Sequence, residues 1–223
     1  MAAGRFSRII KDLINPKPPK PPYSHVVQIG DPALRAKALT VEPKELGSEH
    51  IQQVIKTLVK TMRRYKCSGL AAPQIGVPVR IIAVEITKNH VRAHAPAVVK
   101  AREMRVTPLR VFVNPELTVE DFTTIQSPEG CASLRALTGI VERYRSVTVS
   151  GVSPDGERTE WRADGWAARA VQHEMDHLAG LMYVDRCDPR TLEHQHWALI
   201  NARAGRFLQH FDGFRNRQWG LFL

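Results

Sequence analysis

Apolar residues recur at helical spacing in two segments of the chain, and each segment predicts a helix with one buried face. The first helix is predicted over residues 48–64, with Ser48 as its N-cap. The second is predicted over residues 166–178, with Asp164 as its N-cap and Gly180 as the residue that ends it. Pro189 is expected to open a last helix that runs through residues 192–201.

Short runs rich in β-branched and aromatic residues lie between the first two helices, and they predict strands. The predicted strands cover residues 79–85, 110–114, 118–123, 140–144, 147–152 and 158–163. Strands that are grouped between helices, and do not alternate with them, indicate an α+β fold. We therefore expect small mixed or antiparallel sheets around the second helix, with an N-terminal helix before them and a C-terminal helix after them.

Composition limits the class of protein. The chain has 223 residues, of which 43% are hydrophobic and 24% are charged, values typical of one globular domain with short extensions. We expect this domain to occupy residues 23–200. No apolar run is long enough to span a bilayer. The chain contains three cysteines, and so few argue against a disulfide-stabilised secreted scaffold and favour a reducing compartment.

The two ends of the chain are more basic than the region between them. Residues 1–22 are basic and proline-rich, which predicts the remnant of a transit peptide or a structured arm. Residues 201–223 interleave arginine with aromatic residues, a composition that suits binding to RNA or a membrane surface, or packing on the protein's own domain or a neighbouring subunit. The formal net charge of +10 attracts polyanions, although a solvated basic surface explains it equally well.

The clearest chemical signal is the run His173-Glu174-Met175-Asp176-His177 in the second predicted helix. Residues four apart stack on the same face of a helix, so both imidazoles can reach one metal ion. Trp166 and Ala170 share this face, and the histidines are therefore expected to point inward. Glu174 lies one position further round the helix, where it can contact a metal-bound water without being a ligand.

A hydrolytic metal site usually has a third protein ligand and one position open for water. In one class of zinc protease the third ligand is a histidine six residues after the second histidine of the run. This chain has Tyr183 at that position, so the third histidine ligand is missing. Glu193 is the carboxylate that another class of protease would use. Cys131, in the run Glu129-Gly130-Cys131-Ala132-Ser133, offers a thiolate, which is a strong ligand. Taken alone, Cys131 is equally explained as a buried, inert thiol.

A third segment, residues 69–76, directly follows the first predicted helix. Its small residues let the backbone approach a ligand closely, and the carboxamide of Gln74 can donate a hydrogen bond. A tight turn under the core would explain the same residues.

These three segments, in this order, resemble the peptide deformylase family. The family pattern is G-x-G-L-A-A-x-Q, then E-G-C-x-S, then Q-H-E-x-D-H, and residues 67–74, 129–133 and 172–177 match it. The chain departs from this pattern at Cys67, where the family has glycine, and it carries Ala132 where bacterial members usually have leucine. Both departures resemble the animal mitochondrial branch, as does the run Gly165-Trp166-Ala167-Ala168-Arg169. Ala132 leaves open how fully the methionine pocket is formed.

The resemblance implies a hydrolase that removes the formyl group from N-terminal formyl-methionine and releases formate. It implies that Cys131, His173 and His177 hold one divalent metal ion, with water as the fourth ligand. Fe²⁺ is the implied physiological ion, and Zn²⁺, Co²⁺ or Ni²⁺ can occupy the site. Glu174 is implied to transfer the proton between this water and the leaving amine.

The resemblance also assigns roles around the metal. The Gln74 amide and the Ala132 backbone N–H are implied to stabilise the oxyanion, and Gly69 and Leu70 to bind the substrate as an extended strand. The remaining implied contact is an ion pair behind the Cys131 loop, between Glu129 and Arg143.

The implied partners are formyl-Met peptides and nascent chains, together with the ribosome, which would contact the basic surface. The implied location is the mitochondrial matrix, with the cytoplasm as the alternative, and a homodimer is left open. Two other functions remain as alternatives. One is a metallo-endopeptidase that cleaves unformylated peptides internally, and the other is a non-catalytic, ribosome-associated protein with a structural metal.

Overall fold

The structure is a computed structural model that describes residues 19–212. Most of the predicted N-terminal arm, and residues 213–223 of the predicted tail, lie outside the described residues. The helices are α1 (Glu49–Tyr65), α2 (Lys88–Arg92), α3 (Pro96–Ala101), α4 (Gly165–Leu178) and α5 (Trp197–Ala202). The strands are β1 (Gly69–Ala71), β2 (Ile81–Ile86), β3 (Thr107–Cys131), β4 (Leu134–Val152), β5 (Arg158–Asp164) and β6 (Glu193–His194).

The described strands form one antiparallel sheet in the order β1-β2-β3-β4-β5, and β6 pairs with β4. The α+β prediction is confirmed. Strands predicted separately at 110–114 and 118–123 both belong to β3, and those at 140–144 and 147–152 both belong to β4. The β3–β4 pairing contains several register shifts, and such bulges bend long strands and interrupt the alternation of polar and apolar residues.

The edge of the sheet formed by β1 and β2 lies between two helices. In β2, Ile82, Val84 and Ile86 pack in the apolar cluster that contains α4, whereas Ile81 and Ala83 pack in the cluster that contains α1. A strand covered on both faces has no polar face, which is why residues 81–86 are a nearly continuous apolar run. This arrangement fixes β1, the strand beside β2, between the two helices.

Helix α1 matches its prediction closely. The Ser48 side chain accepts a hydrogen bond from the backbone N–H of Ile51 at the start of the helix, as expected of an N-cap. The apolar stripe is buried at Ile51, Val54, Ile55, Leu58 and Met62. The chain then turns directly into β1, so this stripe sets the position of the segment that contains Gly69 and Gln74.

Helix α4 is buried along almost its whole length. Asp164 occupies the predicted N-cap position, but its carboxylate accepts a hydrogen bond from the Ser146 hydroxyl at 2.6 Å and does not cap the helix. Gly180 lies just after the helix with φ 75°, and a Cβ there would lie 2.6 Å from the Arg35 carbonyl oxygen. A glycine is therefore required where the helix ends.

The predicted helix over residues 192–201 is wrong in extent. Pro189–Thr191 forms a 3₁₀ turn, β6 follows, and the helix begins only at Trp197. The reason is a tertiary contact, because Glu193 and His194 pair with Thr138 and Leu137 of β4 and this pairing holds their backbone extended. The short helices α2 and α3 are absent from the sequence-based prediction.

The described part of the C-terminal tail packs on the protein's own domain. The Tyr65 hydroxyl donates a hydrogen bond to the Phe211 carbonyl at 2.8 Å, and the Arg135 guanidinium lies over the Phe211 ring. Phe207 contacts the rings of His194 and His196. Of the alternatives for this tail, packing on the domain therefore holds as far as Asp212. None of the helices within residues 19–212 has the length and apolar composition of a membrane span.

Candidate metal centre

Helix α4 places both histidines in the interior. His173 and His177 are each 1% exposed, and their ring centroids are 5.0 Å apart. One turn of helix separates them, so they present their imidazoles to the same volume. Burial and the neighbouring His173 lower the pKa of His177 well below its usual value. The neutral imidazole that results is the form that binds a metal ion.

Cys131 completes a group of three potential ligands. It is the last residue of β3, and its Sγ lies 3.3 Å from Nε2 of His177. One ligand atom from each of Cys131, His173 and His177 can be chosen so that all three lie within 4.8 Å of one another. Atoms bound to one ion in a tetrahedral site at about 2.0–2.3 Å are roughly 3.3–3.7 Å apart, so the spacing suits shared coordination.

Two observations show that these residues fit a cation. Nε2 of His173 has no hydrogen-bond partner among the described residues, although it is buried, and such an orphaned acceptor normally requires a ligand. Burial raises the pKa of the Cys131 thiol to about 12. A thiolate there needs a positive charge beside it, and a metal ion supplies that charge.

Glu174 points into the same buried space. It has no exposed surface, and neither of its carboxylate oxygens has a hydrogen-bond partner in the part of the chain that the structure describes. Burial, with a contribution from the negative charge of Glu129, raises the pKa of Glu174 well above its usual value. A carboxyl group with a raised pKa can both accept and return a proton near neutral pH.

Gly69 allows Glu174 to occupy this position. A Cβ on Gly69 would lie 2.6 Å from Oε1 and 2.9 Å from Cγ of Glu174, closer than van der Waals contact permits.

We expect Gly69→Ala to displace the Glu174 carboxylate and to lower kcat about 10²-fold, because catalysis is sensitive to misplacement of about 1 Å. Steady-state formate release, the activity that the motif resemblance implies, measures this effect. Gly47→Ala is the matched control, since no atom lies within 4 Å of its Cβ position. A folded Gly69→Ala protein with wild-type kcat would contradict the prediction.

Gln74 lies close to the thiol and is held in one orientation. Its Oε1 accepts a hydrogen bond from the Ala71 backbone N–H at 2.8 Å, so its NH₂ group points towards Cys131 Sγ at 3.4 Å and the Ser133 hydroxyl at 3.3 Å. Leu70, from the same segment, is packed in the apolar cluster of α1. Its side chain therefore serves the core, and only its backbone lies in β1 beside the site.

Residues 27–29 form hydrogen bonds to both the segment that contains Gln74 and the segment that contains Ala132 and Ser133. The Val27 N–H donates to the Gln74 carbonyl at 2.9 Å, and the Ile29 N–H donates to the Ser133 carbonyl at 2.8 Å. Between them, the Gln28 side chain donates to the Ala132 carbonyl at 2.9 Å. This contact was not predicted, because no local pattern marks residues 27–29.

Glu129 lies behind the three potential ligands and accepts hydrogen bonds on both of its carboxylate oxygens. Arg143 donates to both of its oxygens at 3.0 Å, and His173 Nδ1 lies 3.1 Å from Oε2. Burial raises the pKa of Glu129, but the hydrogen bonds from His173 and Arg143 outweigh it and hold the pKa well below the usual value. The carboxylate stays charged and accepts a hydrogen bond from His173 Nδ1, which orients the ring so that Nε2 faces the three potential ligand atoms.

Sequence reasoning paired Glu129 with Arg143 alone, and the structure adds Arg169, Asp176 and Arg186 to this network. Arg169 of α4 donates to Glu129 Oε1 at 2.6 Å. Asp176, inside the His-Glu-x-x-His run, accepts hydrogen bonds from Arg143 at 2.6 Å and from Arg186 at 2.8 Å. Arg169 is the last residue of the run 165–169, which resembles the animal mitochondrial branch of the family. No spacing rule connects Arg169 to Glu129.

Comparison with known proteins decides the family. Residues 23–193 match the family model described as polypeptide deformylase, which is most of the chain.

The chain belongs to the peptide deformylase family.

Relatives and solved structures agree with this assignment. The chain is 46% identical to the mitochondrial peptide deformylase of Homo sapiens over 82% of this chain and 76% of that protein. It is also 46% identical to peptide deformylase 1A, chloroplastic/mitochondrial, of Arabidopsis thaliana over 74% of this chain and 62% of that longer protein. An actinonin-bound crystal structure of a peptide deformylase from Acinetobacter baumannii is 31% identical. It matches with a TM-score of 0.62 over 74% of this chain and 97% of that chain.

Membership in the peptide deformylase family confirms the predicted activity. The protein is a metallo-hydrolase that removes the N-formyl group from nascent polypeptides. The metal dependence of the family agrees with the group formed by Cys131, His173 and His177. A related structure from Acinetobacter baumannii contains bound Met-Ala-Ser, at 31% identity and a TM-score of 0.63.

The protease alternatives receive no support from the geometry. Glu193 is exposed and lies in β6, and the ligand group found among residues 19–212 does not include it. Tyr183 is buried, and its ring stacks on His173 with centroids 6.3 Å apart. Tyr183 therefore contributes to the packing around His173.

Proposed function

We propose that deformylation in this chain uses Cys131, His173 and His177 to bind one divalent metal ion and Glu174 to transfer protons. The observation that carries this proposal is the convergence of three ligand atoms on a space that also contains the unpartnered carboxylate of Glu174. When bound, the ion acts as a Lewis acid towards the formyl oxygen and lowers the pKa of water to about 7. Fe²⁺ is our candidate for the physiological ion, and Zn²⁺, Co²⁺ or Ni²⁺ can replace it.

The protein residues account for the proton movements. Glu174 takes a proton from the attacking water and returns it to the leaving amine, so that a free N-terminal methionine results. Its raised pKa allows it to keep the proton between these two steps. Because Gly69 lacks a side chain, the carboxylate stays beside the strand to which we assign the substrate.

Charge that develops on the formyl oxygen needs hydrogen-bond donors. The NH₂ group of Gln74 is already oriented by Ala71, and it provides one donor. The backbone N–H of Ala132, next to Cys131, provides the second. Each donor of this kind contributes about 10²–10³-fold in rate when it is preorganised.

Substrate is proposed to bind as an extra strand along β1. This strand is at the end of the sheet order, with β2 on its other side, so an extended peptide can add to it through backbone hydrogen bonds. Gly69 and the backbone of Leu70 would make these contacts. Ala132 replaces a larger side chain beside the thiol, and we infer that it widens the methionine pocket.

The experiment that tests this function is formate release from a short formyl-Met peptide. Protein purified without oxygen and reconstituted with Fe²⁺ or Co²⁺ is expected to release formate, and a chelator is expected to abolish the release. An unformylated peptide of the same sequence is the control for endopeptidase activity. Metal-loaded protein that releases no formate would overturn the proposal, and cleavage inside the unformylated peptide would favour the endopeptidase.

The domain limits and the cellular location are also proposals. We assign residues 23–200 to the catalytic domain, residues 1–22 to a transit-peptide remnant or arm, and residues 201–223 to a tail. The family match over residues 23–193 and the names of the mitochondrial and plastid relatives support these assignments. The location proposed is the mitochondrial matrix.

The net charge of +10 and a nascent-chain substrate together favour contact with the ribosome. After fractionation of cells that express the full chain, we expect the protein in the mitochondrial matrix fraction. Within that fraction it should pellet with ribosomes at low salt and be released from them at high salt. Sedimentation of the salt-released protein also distinguishes a monomer from the homodimer. Protein that stays in the cytoplasm, or that does not pellet at low salt, contradicts the corresponding part of the proposal.

A further inference from the structure

Arg169 is buried at a point where strand and helix meet behind the metal ligands. It lies one helical turn before His173 in α4 and is 4% exposed. Its guanidinium donates to Glu129 Oε1 at 2.6 Å, to the Val141 carbonyl at 3.0 Å and to the Ile125 carbonyl at 2.5 Å. The Arg169 side chain therefore connects α4 by hydrogen bonds to both β3 and β4.

These contacts connect the two halves of the ligand group. Cys131 comes from β3, two residues after Glu129, whereas His173 and His177 come from α4. Arg143 also holds Glu129, but Arg143 belongs to β4. Arg169 and His173 are the two α4 residues that bond to the Glu129 carboxylate among the described residues. Arg169 donates to Oε1, whereas His173 contacts Oε2.

The charges of the region support a specific role for Arg169. Behind the ligands, the buried carboxylates of Glu129 and Asp176 face the buried guanidinium groups of Arg143 and Arg169. Removal of Arg169 would take away a positive charge that lies directly against the Glu129 carboxylate, in a region of low dielectric. Glu129 would also lose the donor on Oε1 that comes from α4, while Arg143 of β4 would still donate to both oxygens. The carboxylate would then be held from β4 but less firmly from α4, the helix that carries His173.

We propose that Arg169 is a positioning residue for the metal site, which holds Glu129 in the orientation that directs His173 Nε2 towards the ion. This inference rests on the ligand roles proposed above. A residue that supports a metal ligand in this way typically contributes about 10–100-fold to metal affinity or activity. Arg169 should therefore affect metal binding and kcat and leave KM unchanged.

The test compares Arg169→Leu and Arg169→Lys with the wild-type enzyme. Co²⁺ is the probe, because both its dissociation constant, from chelator competition, and its visible absorption spectrum report on the ligands. For Arg169→Leu we expect Co²⁺ affinity to fall about 10–100-fold, a changed spectrum, and a lower kcat at unchanged KM. Lysine keeps the charge but cannot reach Glu129 and both carbonyl oxygens together, so Arg169→Lys should lose part of the affinity.

Arg145→Leu is the matched control, since Arg145 lies in β4 near Arg143 but pairs with Glu103. A purely structural role for Arg169 would lower the melting temperature and leave the Co²⁺ affinity and spectrum of the folded protein unchanged, which would overturn the inference. If Arg169→Leu does not fold, wild-type affinity and kcat in Arg169→Lys overturn it equally. Failure of the ligand assignment is distinguishable, because Cys131→Ser would then bind Co²⁺ as the wild type does.

Discussion

Replacing Glu174 by glutamine is expected to lower kcat for formate release about 10²–10⁴-fold, the usual contribution of general acid–base catalysis. The amide keeps the size of the carboxylate but cannot carry the proton from water to the leaving amine. Glu174 is outside the proposed ligand group, so the metal content of the purified variant is expected to stay at the wild-type level. Formate release and metal analysis on the same sample measure the two quantities.

Glu160→Gln is the control for this variant, because Glu160 is exposed on β5 and the same chemical change there should leave kcat unaltered. Glu174→Gln with wild-type kcat would show that another group moves the proton. A variant that loses its metal together with its activity would instead assign Glu174 to the coordination of the ion.

Replacing Cys131 by serine is expected to remove both bound metal and activity. A serine hydroxyl has a much higher pKa than a thiol and is a poor ligand for a borderline cation, so the site would keep two imidazoles only. We expect metal content to fall to a small fraction of one ion per chain and formate release to fall at least about 10²-fold. Metal analysis after gel filtration and a formate assay with added Co²⁺ measure these effects.

Cys187→Ser is the matched control. Cys187 is also buried, and it lies outside the ligand group that Cys131 forms with His173 and His177. The two variants make the same change from sulfur to oxygen, so any difference between them reports on the metal site. If Cys131→Ser keeps its metal and releases formate at the wild-type rate, Cys131 is not a ligand, and a protease-type ligand set would have to be reconsidered.

Local patterns in the sequence were sufficient for the elements whose stability depends on residues close in the chain. The stripe from Ile51 to Met62 and the capping residue Ser48 define α1 within a few turns. The pair His173 and His177 shares a face of α4 for the same reason, since one helical turn separates them. Each predicted strand likewise overlaps β2, β3, β4 or β5, although β2 begins two residues later than predicted, because β-branched residues and turns are local signals.

The motifs also predicted a metal site at Cys131, His173 and His177, and the structure brings these three potential ligands together. Residues 67–74, 129–133 and 172–177 resemble one family in one order, and the family match confirms the function that they implied. This success depends on motif similarity, since no spacing rule places Cys131 at 3.3 Å from His177. The distance arises because β3 ends beside α4.

Tertiary structure decided everything that depends on residues far apart in the chain. Pairing with β4 interrupts the predicted C-terminal helix at residues 193 and 194. The pairing of β3 with β4 continues past its bulges, so the predicted short strands are parts of two long ones. Arg169 contacts Glu129 across 40 positions of sequence, and Gln28 contacts Ala132 across 104. Such contacts depend on the path of the whole backbone. The sequence by itself therefore determined α1, α4 and the chemical groups of the candidate site, whereas the packing of α4 against the sheet determined how those groups are held.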